Sequence, residues 1–250
     1  MGSFALPDQP MNSTDIDERA AGPAFRAALD AQREHWEQAL TERADRFGIE
    51  ASAPGRAAAD GFAREGARNL LELGAGQGRD TLFFAEQGFD VHALDYAESG
   101  LTAIDAKAAA ARLGGRIHTT RGDVRKPLPF ADACFDACYS HMLYCMALTR
   151  SELSALTAEV RRVLRPGGLN VYTARTTTDP DYGKGEHRGE RLYELGGFVV
   201  HFFDRAFVDE LADGSEIVAV DEFEEGALPR RLYRVTLRIP RLIWFLKGEV

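Results

Sequence analysis

The 250-residue chain has little cysteine and little tryptophan, and its basic residues fall short of its acidic ones. Its three cysteines, Cys134, Cys138 and Cys145, are odd in number and lack paired spacing. That excludes a disulfide framework and predicts free thiols in a reducing compartment. Cys134, Cys138, Cys145, His141 and His201 follow no spacing of a zinc site, so no metal is expected. No apolar run approaches membrane-spanning length, so no membrane partner is expected. The first residues are polar and acidic, without the basic start and apolar core of a secretory signal, and the cytoplasm is the expected compartment. Lys and Arg number 30 against 39 Asp and Glu, a net charge of −9. Binding phosphate backbones needs a concentrated basic face, so this balance argues against a nucleic-acid partner. There is no internal repeat and no low-complexity linker.

Apolar residues make up 45% of the chain, enough to fill the core of one domain with an added cap. Residues 1–20, rich in Asp, Ser, Pro and Asn, read as a disordered or loosely attached tail. Residues 21–66 read as an N-terminal helical cap. The spacing of Phe25, Leu29, Trp36, Leu40 and Phe47 predicts a helix over 24–47 with Gly48 as its stop. Ser52 caps a second helix, with Pro54 in its first turn, running to about Glu65.

Residues 67–250 form the main domain, and here the periods alternate. Strands are expected at 69–73, 90–94, 117–120, 135–140 and 169–173, with helices at 79–87, 98–113 and 151–164, the last capped by Ser151. Such alternation implies a doubly wound parallel sheet covered on both faces. Residues 174–196 have few apolar anchors and read as a lid or substrate loop. A strand at 198–203, a helix at 204–212 and two strands at 217–221 and 231–239, paired antiparallel, complete the domain. The apolar end, Leu242 to Phe245, is expected to pack on the domain.

The most informative stretch is Asn69-Leu-Leu-Glu-Leu-Gly-Ala-Gly-Gln-Gly-Arg-Asp80. An apolar run ends in the acid Glu72, and Gly74, Gly76 and Gly78 follow at alternate positions before a helix opens. Glycine lets a backbone bend sharply and lets a ligand lie against it. A strand, a glycine turn and a helix N-terminus in that order build a pocket for a nucleotide-like ligand. Asp95 closes the second strand, Gly122-Asp123-Val124 follows the third, Phe135-Asp136 opens the fourth, and Arg165-Pro166-Gly167-Gly168 leads into the fifth.

Taken in order, these features resemble the class I S-adenosylmethionine-dependent methyltransferases over roughly Asn69 to Thr173. The stretch Gly76 to Ala85, with Gly88-Phe89-Asp90-Val91 after it, is similar to the tellurite-resistance methyltransferase group within that superfamily. The resemblance implies a Rossmann-like sheet of seven mostly parallel strands, with S-adenosylmethionine as cofactor. It implies a cofactor set of Glu72, Gly74, Ala75, Gly76, Gly78, Asp95, Tyr96, Asp123, Val124, Ser140 and His141. In that set the turn holds the methionine portion and Glu72 orients the turn and the ammonium group. Asp95 accepts the ribose hydroxyls, Asp123 takes the adenine amino group, and the Val124 N–H faces a ring nitrogen. A glycine turn and an acid at Asp95 suit NAD equally well. Glu72, Asp123 and the Arg-Pro-Gly-Gly turn weigh against that reading. A cofactor-binding protein without transferase activity is the other alternative.

On the acceptor side, His141 follows the fourth strand and reads as general base, substrate contact or a histidine packed on the cofactor. Tyr139, Met142 and Tyr144 are its neighbours. Arg175 either binds an anionic substrate or makes an ion pair. His201 points into the pocket or is a satisfied core histidine. Trp36, with Phe47, covers the site or belongs to a core stripe. Tyr182, Lys184, His187 and Arg188 lie in the expected lid. The substrate set is thus Trp36, Tyr144, Arg175 and His201, acting on a small molecule. The resemblance makes a thiol, a chalcogen or metalloid species, or a metabolite oxygen or nitrogen the acceptor. The protein is expected as a monomer or homodimer.

Overall fold

The computed structural model describes residues 23–226 and 229–241. The expected tail over 1–20 and the apolar end from 242 onward lie outside them. Helix α1 (Pro23–Glu42) buries Phe25, Leu29, Ala39 and Leu40. It stops short of the expected boundary because Asp45 takes a left-handed φ of 50° and the Gln77 amide captures the carbonyls of Leu40 and Arg43. Helix α2 (Ala53–Arg64) begins as expected: the Ser52 side chain accepts from the Gly55 N–H, and a proline occupies its first turn.

The main sheet runs β3-β2-β1-β4-β5-β10-β9. Strands β1 (Asn69–Leu73), β2 (Asp90–Asp95), β3 (Ile117–Arg121), β4 (Phe135–Ser140) and β5 (Leu164–Arg175) pair in parallel. Strand β10 (Arg230–Arg238) is antiparallel to β5 and to β9 (Glu216–Glu225). This is the seven-stranded Rossmann-like methyltransferase sheet. Alternate residues of β1 face opposite sides. Leu71 and Leu73 join the core under α5 (Arg150–Val163) and α6 (Arg205–Leu211), with Leu153, Val160 and Phe207. Leu70 joins Phe62, Phe84 and Ile104 under α2, α3 (Arg79–Glu86) and α4 (Glu98–Ala110).

Three expectations are corrected. The cap of α5 is Thr149, not Ser151, because Thr149 and Glu152 form a reciprocal capping box. Strand β5 starts before the Gly-Gly pair, since Gly168 lets it run against the Asp136 backbone, where a Cβ would come within 2.8 Å of the Asp136 carbonyl oxygen. The lid region is not a bare loop. Beyond a turn-rich start it holds β6 (Glu186–His187) and β7 (Leu192–Leu195), which with β8 (Phe198–His201) form a second, antiparallel sheet. Its anchors are Leu192 and Val199, buried against Phe25 and Leu29 of α1. Gln32 fastens the contact, donating to the Gly197 carbonyl and accepting from the Val199 N–H, each at 3.0 Å. The sequence pattern hides this sheet because its strands are short and its partner helix lies far away in the chain.

Candidate functional site

The topology sets a row of chemical groups along one edge of the main sheet. Asp123 follows β3, Asp95 ends β2, the glycine turn follows β1, His141 follows β4 and Arg175 ends β5. The β9–β10 hairpin adds Glu225 and Arg230 at the same edge. This is the carboxyl edge of the parallel strands, where open α/β sheets take their ligands. A cavity of about 590 Å³ lies there, lined by Glu72, Gly74, Ala75, Gly76, Asp95, Tyr96, Asp123, Val124, His141, Trp36 and Arg175 among others.

The turn is built for close approach. Gly74 and Gly76 have φ values of 72° and 55°, and a Cβ on Gly76 would meet nothing within 4 Å. The Asp95 carboxylate accepts from the Gly76 N–H and from the Ala97 N–H, both at 2.9 Å. It thereby fixes the turn from the neighbouring strand. Burial raises its pKa, against these backbone bonds. Glu72 is buried beneath the turn with Thr81 donating to it at 2.5 Å. Burial, and then the charge of Asp80, push Glu72 up to about 8. Burial also works against ionised Asp123, but hydrogen bonds from Arg125 outweigh it and hold the carboxyl below its usual range. A wall carrying Glu72, Asp80, Asp95 and Asp123 suits a ligand with a sulfonium and an ammonium group, and the open face of Gly76 leaves room for it.

Gly78 lies outside the cavity lining. With φ 84°, it lets the turn pack on α4, where a Cβ would stand 2.6 Å from Ile104 Cγ1. Ser140 is fully buried and also off the lining. Tyr144 is a core residue stacked on Tyr172 with ring centroids 4.1 Å apart. His201 is buried outside the cavity, its Nδ1 2.7 Å from the Leu148 carbonyl oxygen, and burial lowers its pKa to about 4. Arg175 does line the cavity, but its guanidinium pairs with Asp179 at 2.5 Å and Asp181 at 2.7 Å. Trp36 packs on Phe198 of the small sheet, centroids 4.6 Å apart, and both face the cavity.

His141 is held at both ring nitrogens. Nδ1 lies 2.9 Å from Thr173 Oγ1, and Nε2 lies 3.3 Å from Glu225 Oε2. The next residue, Met142, has a left-handed φ of 63°, fixed by its N–H donating to Thr173 Oγ1. Sequence reasoning missed Glu225, Arg230, Phe198, Arg46, Gln77 and Gly100. Gly100 has no room for a side chain, because a Cβ would come 2.3 Å from the Gly76 carbonyl oxygen. Gln77 stands inside the glycine motif itself, whereas Glu225, Arg230, Phe198 and Arg46 arrive from a hairpin, a small sheet and a turn that carry no motif.

All three cysteines are free thiols, and burial pushes Cys145 up to about 11. Among the described residues no group of three or more metal-ligating side chains converges, and no helix is long and apolar enough to cross a membrane.

Residues 70–168 match a methyltransferase domain family. A malonyl-[acyl-carrier protein] O-methyltransferase from Serratia marcescens is 32% identical over 157 residues, covering 62% of this chain and 49% of that protein. The chain thus spans about half the length of the curated relatives it matches. The crystal structure of a Burkholderia thailandensis 1,6-didemethyltoxoflavin-N1-methyltransferase, with 1,6-didemethyltoxoflavin and S-adenosylhomocysteine bound, aligns over 94% of both chains with a TM-score of 0.68 at 23% identity. TehB from Haemophilus influenzae aligns over 72% of this chain and 60% of its own, with a TM-score of 0.57 at 17% identity. Residues 70–168 thus carry a match to a methyltransferase domain, and the sheet that holds it has the Rossmann-like methyltransferase fold.

Proposed function

We propose that the protein transfers a methyl group from S-adenosylmethionine to a small-molecule acceptor that enters beside His141. The observation that carries this reading is one continuous cavity with two chemistries. Glu72, Asp95 and Asp123 line it with the glycine turn, and Trp36, Phe198, Met142, Leu143 and Met146 line it as an apolar and aromatic wall. The cofactor supplies a methyl carbon already activated by its sulfonium. The protein's work is to hold that carbon in line with a nucleophile and to exclude water. Asp95 has carboxylate lone pairs for ribose hydroxyls, and Asp123, anchored by Arg125, has them for the adenine amino group. Helix α1 and the small sheet, clamped through Gln32, roof the cavity. The residues of the roof come from the N-terminal cap and from the segment after β5, so both belong to the acceptor site in this reading.

Arg46, Arg79 and Arg230 also line the cavity. They favour a second reading, methylation of a carboxylate oxygen, and the malonyl-[acyl-carrier protein] relatives are named as O-methyltransferases. Kinship with the tellurite-resistance group rests on the Gly76 to Ala85 motif and on the shared fold, and a chalcogen acceptor is its consequence.

Calorimetry with S-adenosylhomocysteine and NAD side by side tests the cofactor. Binding of the first and none of the second is the expected result, and the reverse would replace the reading with an oxidoreductase. Formation of S-adenosylhomocysteine from S-adenosylmethionine in the presence of candidate acceptors separates an enzyme from a binding protein.

A further inference from the structure

We propose that Glu225, rather than His141, meets the acceptor's proton, that His141 is the positioning residue for it, and that the acceptor is a neutral nitrogen nucleophile, an amine or an N–H heterocycle. This rests on the methyltransferase reading and deepens it.

Beside His141, the side chain of Thr173 is fully buried. Its Oγ1 already accepts from the Met142 N–H at 2.9 Å. A buried hydroxyl must also place its own hydrogen, and among the described residues the acceptor within reach is His141 Nδ1 at 2.9 Å. This network assigns the tautomer: Nδ1 bears the lone pair and Nε2 bears the hydrogen. Nε2–H then points at Glu225 Oε2, 3.3 Å away. Both ring nitrogens are engaged, and neither has a free lone pair for a substrate proton.

Glu225 has lone pairs to spare. One oxygen faces His141, the carboxylate lines the cavity, and its side chain keeps 27% of its surface exposed. Burial works against its charge, but the hydrogen bond from His141 and the charges of Arg79 and Arg230 hold its carboxyl below the usual range. It therefore stands ionised at neutral pH. The separation from Nε2 exceeds the 2.7–2.9 Å or so of a tight charge-assisted bond, so the pair is loose enough to admit a third partner.

An anionic carboxylate at this point selects among acceptors. A neutral nitrogen that gives its lone pair to the methyl carbon becomes cationic, while the electrons of the broken carbon–sulfur bond stay on sulfur. A methylated heterocycle, whose cationic N–H is acidic, then gives its proton to a Glu225 oxygen, whereas an ammonium product stays paired with Glu225 and loses its proton to water after release. A negative group fixed beside the developing charge lowers the barrier. A carboxylate acceptor would instead meet a like charge there. Of the arginines on the lining, Arg79 and Arg230 act on Glu225 itself, and Asp179 and Asp181 occupy the guanidinium of Arg175.

The test uses the full chain saturated with S-adenosylhomocysteine and two probes of similar size and opposite charge, benzylamine and benzoate. Calorimetry should show benzylamine binding at least about tenfold tighter, a difference of about 1.4 kcal/mol. Glu225→Gln should erase that preference, with unchanged affinity for S-adenosylhomocysteine as the check on folding. Equal binding, preference for benzoate, or binding of neither probe would overturn the assignment while leaving the methyltransferase reading intact. Failure of S-adenosylhomocysteine itself to bind would remove both. Nitrogen-15 spectra of the His141 ring give a ligand-free readout. Protonation at Nε2 is expected, with Thr173→Val releasing Nδ1 to a mixed tautomer. Protonation at Nδ1 in the unaltered protein would end the proposal.

Discussion

The side-chain amide of Gln77 donates to the carbonyl oxygen of Leu40 at 2.8 Å, tying the glycine turn to the last turn of α1. The same amide donates to the Arg43 carbonyl at 2.9 Å, and its oxygen accepts from the Arg46 N–H at 2.8 Å. One side chain therefore satisfies three backbone groups where the helix ends. Gln77→Ala should strip those partners and destabilise the fold by about 1–3 kcal/mol. Urea unfolding measures the loss, and hydrogen exchange should localise it to residues 23–48. Unchanged protection there would mean α1 is held by its apolar face alone.

Asp95 supports the turn as well as facing the cavity. Removing its carboxylate takes away the partner of the Gly76 and Ala97 N–H groups. Asp95→Ala should weaken binding of S-adenosylhomocysteine by about 1.5–3 kcal/mol, the worth of a hydrogen bond to a charged group. Calorimetry reads this directly, and an unchanged dissociation constant would take Asp95 out of the site.

Glu72 makes stability depend on pH in a direction opposite to most carboxylates. Its pKa stands at about 8 in the fold against 4.5 for an unperturbed glutamate, raised by burial and then by Asp80. The folded state therefore holds a proton that the unfolded state has released. The contribution is fully present below the unfolded value and is lost as pH climbs from there to about 8. Urea unfolding from acidic to alkaline pH should show this decline in the ligand-free protein, and Glu72→Gln should flatten it. A bound ammonium group should do the same by favouring the ionised form. An identical slope in Glu72→Gln would assign the decline to other groups.

Arg175 is predicted to matter first for stability. Its guanidinium is the cation beside Asp179, whose side chain has no exposed surface. Arg175→Ala leaves that buried carboxylate with the N–H groups of Asp181 and Arg231 but no cation, at a cost of about 3–5 kcal/mol. Arg175→Lys keeps the charge but not the fork and should fall between. Chemical denaturation distinguishes this from a substrate role, which would leave the unfolding midpoint in place.

His141→Ala should lower turnover more than it lowers cofactor affinity, since its ring contacts Thr173 and Glu225 and none of the acid row. Steady-state rates set against S-adenosylhomocysteine affinity check the split. Equal losses in both would place His141 against the cofactor instead.

The acidic end of the cavity was legible because each of its residues hangs on a local pattern. Glu72, Gly74, Gly76, Asp95 and Asp123 all stand at strand ends that apolar runs announce, and the structure brings them to one cavity. Gly78 was legible as a turn glycine, but its packing on Ile104 depends on where α4 lies. The rest of the cavity wall was much less so. Tyr144 and His201 are polar residues in stretches that read as pocket walls, yet they turn inward to Tyr172 and the Leu148 carbonyl. Side-chain direction after β4 follows from the left-handed backbone at Met142, which no local pattern marks.

The sequence by itself determined the order of the main sheet's strands and the helices between them, the glycine turn and the acids around it. Hydrophobic period and the backbone freedom of glycine act over a few residues, so they can be read from a few residues. Tertiary structure alone decided which side chains gather around His141 and the apolar half of the cavity. Glu225 comes from the far hairpin, Phe198 from a small sheet pinned under α1, and Thr173 from the strand beside His141. Those meetings depend on how strands pair and curl and on which faces are buried, and residues distant in the chain leave no shared spacing to betray them.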